Sequence, residues 1–202
     1  MKFLKPILVL TLLGLVSTSF VTLDLFSEWS LKKDKNGVKV FTRKVEGYSL
    51  KEYKALAFIK TDVKSLEALI LDPSTWLSWQ HNCQEAKMVE QSGNSYIAYN
   101  VTKAPVVKDR DMVVKMDVVR LRDNRTKINM TAVNDKVAEK DGLVRIKYLK
   151  GYWLLTPQNG GVEVLQQVHA DPGGKIPDWV ANSSIVDSPF KTMGNLKDRL
   201  EN

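Results

Sequence analysis

Val38, Val40 and Thr42 alternate with Lys39, Phe41 and Arg43 in "VKVFTR" (38–43), the two-residue period of a half-buried strand. Glu46-Gly47 turns the chain, and "SLKEYKALAFI" (49–59) predicts a second extended run. The period then changes. Val63, Leu66, Leu69 and Ile70 recur at helical spacing behind Thr61 and Asp62, either of which can cap a helix, and Asp72-Pro73 ends it. "STWLSWQ" (74–80) predicts another short helical turn. Its Trp76 and Trp79, three apart, share a face.

Strand periods resume at 84–90 and 95–101 around a Ser92-Gly93-Asn94 turn. They continue at 112–120 and 127–133 around Asp123-Asn124, and at 143–155 and 162–170 around the turn from Pro157 to Gly161. Successive strands with tight turns predict an antiparallel meander. Val114, Met116 and Val118 alternate with Lys115 and Asp117, and Ile128, Met130 and Ala132 with Lys127, Asn129 and Thr131. Met116 and Met130 thus fall on the apolar side, where flexible thioethers suit a core gap and a lipid cavity equally.

In "HADPGGKIPDWVAN" (169–182), Asp171-Pro172-Gly173-Gly174 predicts a reversal and Pro177 the first turn of a helix. Trp179, Val180, Ile185 and Val186 give that helix an apolar face, with Trp179 facing or sealing the cavity end. Ser188-Pro189 predicts a kink, and Phe190, Met193, Leu196 and Leu200 continue the stripe. The fold class is therefore α+β: a curved antiparallel sheet, two short helices after the second predicted strand, and a long C-terminal helix in the hollow. Such packing leaves a ligand cavity wherever side chains do not fill the gap.

Lys2 and Lys5, the apolar run from Pro6 to Val16, and the small residues Ser17 and Ser19 predict a secretory signal over residues 1–19, too short to span a bilayer comfortably. Its cleavage implies an exported protein, periplasmic or extracellular, with one domain over 28–202. The single cysteine, Cys83, allows no internal disulfide. The net charge of +7 is spread without a basic block, which argues against a nucleic-acid partner and is compatible with transient contact with an anionic membrane surface. Asn100, Asn124, Asn129 and Asn182 head Asn-x-Ser/Thr sequons, which matter only in a host that glycosylates exported proteins.

Catalytic motifs are missing from the sequence: it has no H-E-x-x-H, C-x-x-C, G-x-S-x-G, Walker loop or G-x-G-x-x-G. His81 and Cys83 point the same way on an extended chain, but a dyad needs a low thiol pKa and a third group to orient it, and spacing supplies neither. In Asp109-Arg110-Asp111 the acids share one side of a strand and Arg110 takes the other. Arg110 can hold a ligand's polar head, or the cluster can pin the loop by an ion pair; the second reading is favoured. His169 ends the last strand, as a structural residue or a hydrogen-bonding one at a cavity mouth. No catalytic residue, metal site or cofactor is assigned.

"WSLKKDKNGVKVFTR" (29–43), Trp76 and Trp79 after Asp72, "APVVKDRDMV" (104–113), "GYWLLTP" (151–157) and "HADPGGKIPDWVAN" occur in order, and together resemble the START domain, the steroidogenic-acute-regulatory-protein-related lipid-transfer domain. The resemblance spans about residues 28–200. It implies a helix-grip fold, a hydrophobic tunnel, binding or transfer of one lipid or other hydrophobic molecule, no cofactor and no catalysis. Arg110 and Asp111 match the family's Arg-Asp; Pro177, Trp179 and Asn182 match the start of its last helix. Some members carry a charged pair inside the tunnel. Met116 stands near that position here, which implies a more uniformly apolar ligand. The expected ligand-binding residues are Trp79, Tyr99, Arg110, Met116, Met130, His169 and Trp179, in a monomer. The alternative is an aromatase/cyclase-like enzyme of the same fold acting on a polyketide-type substrate, which would use Arg110, Tyr99 or His169 on a carbonyl.

Overall fold

The computed structural model describes residues 28–48 and 50–202, apart from the side chains of Asp178, Trp179 and Asn182. The signal-segment reading of 1–19 and the role expected of Trp179 lie outside the described residues.

The strands are β1 (Ser30–Lys35), β2 (Val38–Arg43), β3 (Glu52–Ile59), β4 (Cys83–Ser92), β5 (Ser95–Thr102), β6 (Arg110–Arg120), β7 (Thr126–Ala132), β8 (Val144–Arg145), β9 (Tyr148–Gln158) and β10 (Gly161–Asp171). They form one curved sheet in the order β1-β2-β3-β10-β9-β7-β6-β5-β4. All neighbours in that path are antiparallel, and β8 adds to β6 in parallel. Helices α1 (Val63–Leu71) and α2 (Trp76–Trp79) follow β3, and α3 (Asp178–Glu201) follows β10. The expected α+β architecture is the observed one.

Local chemistry explains most boundaries. Asp62 caps α1 by accepting from the Ser65 N–H at 2.9 Å, and Asp72 does the same for the 3₁₀ turn Pro73–Thr75. Asp171 accepts from the Gly173 N–H at 2.9 Å, and Gly173 and Gly174 both adopt positive φ, so the expected reversal forms. Pro177 stands one residue ahead of α3 rather than inside its first turn. The helix runs on through Pro189, whose missing N–H leaves the Ile185 carbonyl without its helical donor.

Three expectations differ. β1 is mostly exposed and lysine-rich, so it carries no alternation to read; it is an edge strand. The helices therefore follow the third strand rather than the second. The extended run predicted over 143–155 is two strands, because β8 pairs with Arg110 and Asp111 of β6 before β9 begins.

Alternation divides the sheet cleanly. The inner face carries Ala98, Val114, Met116, Val118, Ile128 and Met130, and against it pack Leu66 and Ile70 of α1, Trp76, Trp79, and Met193 and Leu196 of α3. The outer face has a smaller cluster, Ile97, Tyr99, Val101 and Val113, covered by Val133, Val137 and Leu143. Burying these side chains, at about 25 cal/mol per Å² of apolar surface, is the main force holding α3 in the hollow.

Candidate ligand-binding site

The C-terminal half of α3 is anchored. Met193 and Leu196 are fully buried, and Lys197 donates to the Phe58 carbonyl at 3.0 Å. Beneath the N-terminal half opens a cleft of about 740 Å³. Its walls are Tyr53, Val168 and Ala170 of the inner face, Ala104, Pro105 and Val107 of the β5–β6 loop, and Val180, Ala181 and Ile185 of α3. A second, shallower cleft of about 930 Å³ lies at the far end of the sheet between α1 and the β6–β7 turn. It is larger but open along its length and walled by the paired Arg120 and Glu67. The cleft under α3 is the more enclosed of the two, and small molecules are bound where most of their surface can be buried.

Alternation decides where each expected residue goes. Arg110 points inward and lines the cleft. Its guanidinium is consumed by backbone: it donates to the carbonyls of Lys108, Pro172 (3.3 Å) and Gly173 (3.4 Å), fastening the β10–α3 turn to β6. Asp111 points outward, where its buried carboxylate accepts from Arg145 at 3.0 and 2.8 Å. Asp109 accepts from the Ala104 N–H at 3.0 Å and holds the β5–β6 loop. The three side chains do not pair with one another: each holds a different neighbour, and Arg145 is a partner that spacing did not reveal.

Trp79 is packed edge-on against Trp153 with ring centroids 6.2 Å apart, and its indole N–H donates to the Thr75 hydroxyl. Met116 and Met130 sit side by side in the inner-face core as a cross-strand pair. The structure thus places Trp79, Met116 and Met130 in packed core rather than on the cleft wall. Tyr99 is on the outer face, in the second cluster. His169 also points outward, edge-on to Tyr48 at 4.5 Å and Tyr148 at 5.4 Å, so it is a packed residue rather than a mouth residue. The one-residue register of a strand makes the difference: Val168 and Ala170 face the cleft, and His169 between them cannot.

His81 and Lys191 were not among the expected ligand residues, and both line the cleft. Burial and the nearby Lys191 ammonium hold the His81 imidazole below its ordinary pKa, with Asp187 opposing them. Cys83 is half-buried, and burial pushes its thiol up to about 11, the reverse of what a nucleophile needs. Among the described residues no group of three or more His, Cys, Asp or Glu could hold a metal, and no helix is long and apolar enough to cross a membrane.

Residues 24–202 match the START domain family. The chain belongs to the START domain family. An uncharacterized protein of Pseudomonas aeruginosa is 34% identical over 200 residues, covering 98% of this chain and 99% of its own. The phosphatidylcholine transfer protein of Bos taurus is 23% identical over 160 residues, 76% of this chain and 75% of that one. Among solved structures, the STAR-related lipid transfer protein of Xanthomonas axonopodis is 32% identical with a TM-score of 0.81, covering 86% of this chain and 99% of that one. Human StAR-related lipid transfer protein 5 shares the fold, with a TM-score of 0.74 at 19% identity, 85% of this chain and 86% of the other. START family membership and these relatives support lipid binding or transfer in general. Within the START fold the sequence motifs are scaffold: Trp76 and Trp79 fill the core, and "DRD" ties strand to loop.

Proposed function

We propose that this START domain binds one lipid or other hydrophobic molecule in the cleft beneath the N-terminal half of α3 and exchanges it with membranes, without catalysis, as an exported monomer. The observation that carries the reading is the cleft itself: about 740 Å³ with an apolar floor, closed on one side by a helix whose N-terminal half has few core anchors. The carrier role draws on two of these relatives, the Bos taurus phosphatidylcholine transfer protein and the Xanthomonas axonopodis STAR-related lipid transfer protein. Export rests on the signal-like residues 1–19, and transient membrane contact on the positive net charge. The cyclase reading is disfavoured by geometry. Arg110 is tied to three backbone carbonyls, while Tyr99 and His169 are on the other face of the sheet, so the three do not converge on one carbonyl.

The test is to fill the cleft. Ala181, on the α3 wall, is replaced by Trp, and binding of a fluorescent fatty-acyl probe is measured beside native mass spectrometry of co-purifying lipid. We expect a loss of about tenfold or more, about 1.4 kcal/mol, with the circular-dichroism spectrum unchanged. Full binding by Ala181→Trp and by Ser184→Trp would move the ligand out of this cleft.

A further inference from the structure

The charged groups around the cleft are unevenly signed. Lys51 enters from the residue before β3, Lys103 from the residue after β5, and Lys191 from α3, so three separate walls each contribute a lysine to the lining, Lys103 and Lys191 at its exposed rim. None of the three has a side-chain partner among the described residues. The carboxylate on the wall, Asp187, is already engaged: it lies 2.7 Å from the Lys33 ammonium, which also sits 4.2 Å above the Phe190 ring. Arg110, on the same lining, commits three of its five N–H donors to carbonyls and keeps its positive charge. The depressed pKa of His81 keeps it neutral near pH 7, so it neither adds to nor offsets the lysines. Like charges set around the rim of one cleft raise a positive potential that draws in an anion.

Volume sets the other half of the argument. At about 30 Å³ for a water-sized group, 740 Å³ holds roughly 25 such groups. A methylene takes about the room of a water molecule, so one acyl chain with a compact headgroup fills the cleft, and a lipid with two ordinary chains exceeds it.

We propose that the ligand is a single-chain anionic amphiphile, its chain beneath α3 and its carboxylate or phosphate at the rim formed by Lys51, Lys103 and Lys191. This rests on the lipid-binding reading and narrows it.

The experiment uses the full chain, stripped of lipid, and isothermal titration below the micellar concentration of each probe. Palmitate and palmitoyl-lysophosphatidic acid are compared with hexadecanol and palmitoyl-lysophosphatidylcholine, which lack net negative charge. Dipalmitoyl-phosphatidylglycerol, with two chains, is a further arm; acetate and inorganic phosphate, with none, are the last. We expect both single-chain anions to bind about tenfold or more tightly than hexadecanol, with a preference that shrinks as salt is raised. The combined variant Lys51→Gln, Lys103→Gln, Lys191→Gln should bring them down to the level of hexadecanol and change hexadecanol itself by less than about twofold. Binding of either single-chain anion should also raise the titration midpoint of His81 in proton NMR, because a nearby anion favours the imidazolium. Hexadecanol binding as tightly as palmitate, a triple variant that keeps the preference, or phosphatidylglycerol binding most tightly each overturns the proposal while leaving lipid binding intact. Phosphate alone matching lysophosphatidic acid overturns the role of the chain. If no amphiphile binds at all, the lipid-binding reading itself fails.

Discussion

His81 sits between a lysine that repels its proton and an aspartate that attracts it, in a half-buried place where desolvation decides the balance. Its pKa is lowered from 6.5 by burial first and Lys191 second. The folded state therefore holds its proton less tightly than the unfolded chain does. In that case stability is intact above the unfolded value and declines as pH falls below about 6.5, until the folded-state pKa is passed. We expect the His81 proton-NMR midpoint to lie below that of the denatured chain, and His81→Gln to flatten the decline of stability between about pH 7 and 5. A midpoint at or above the denatured value would contradict this. Sequence raised His81 only as a possible partner of Cys83 and did not mark the three lysines, because a cleft wall has no period. Its residues come from β3, the α2–β4 link, the β5–β6 loop and α3, and only the fold brings them together.

Elements were far more legible than the site. Alternation located β2 to the residue and β5, β6, β7 and β10 to within two, because each has one face packed on the core and one turned outward. It failed at β1, which lies at the sheet edge and buries almost nothing, and at β8, which is too short to show a period. The same alternation misled about ligand contact, since an inward-facing methionine next to α1 or Trp153 is core and one next to empty space would be lining. Glycines test the packing between elements. Gly151 of β9 faces β10 so closely that a Cβ would stand 2.4 Å from the Gln167 carbonyl oxygen and 2.9 Å from Val168 Cγ2. Backbone on that side cannot yield, so Gly151→Ala should cost about 1–3 kcal/mol in urea unfolding. Gly194, inside α3 with nothing within 4 Å of its added Cβ, should respond oppositely, Gly194→Ala gaining roughly 0.5–1 kcal/mol.

At the scale of the molecule, the inner face of the sheet is covered by α1, α2 and the long helix α3. The fold class followed from sequence because strands, helices and turns appeared in order, and the family motifs agreed with them. The strand order did not, because pairing between distant strands leaves no local mark. That order carries a consequence for how the protein comes into being. The seam at the middle of the sheet joins β3 to β10, and Tyr53 hydrogen-bonds Gln166 across 113 positions of chain. Loops of this length must close before the central ladder rewards them, which makes folding slow. A chain ending at Asn159 lacks both β10 and α3, and should show neither a cooperative thermal transition nor native circular dichroism. During synthesis, the early strands must wait, unpaired on one side, until nearly the whole polypeptide has left the ribosome.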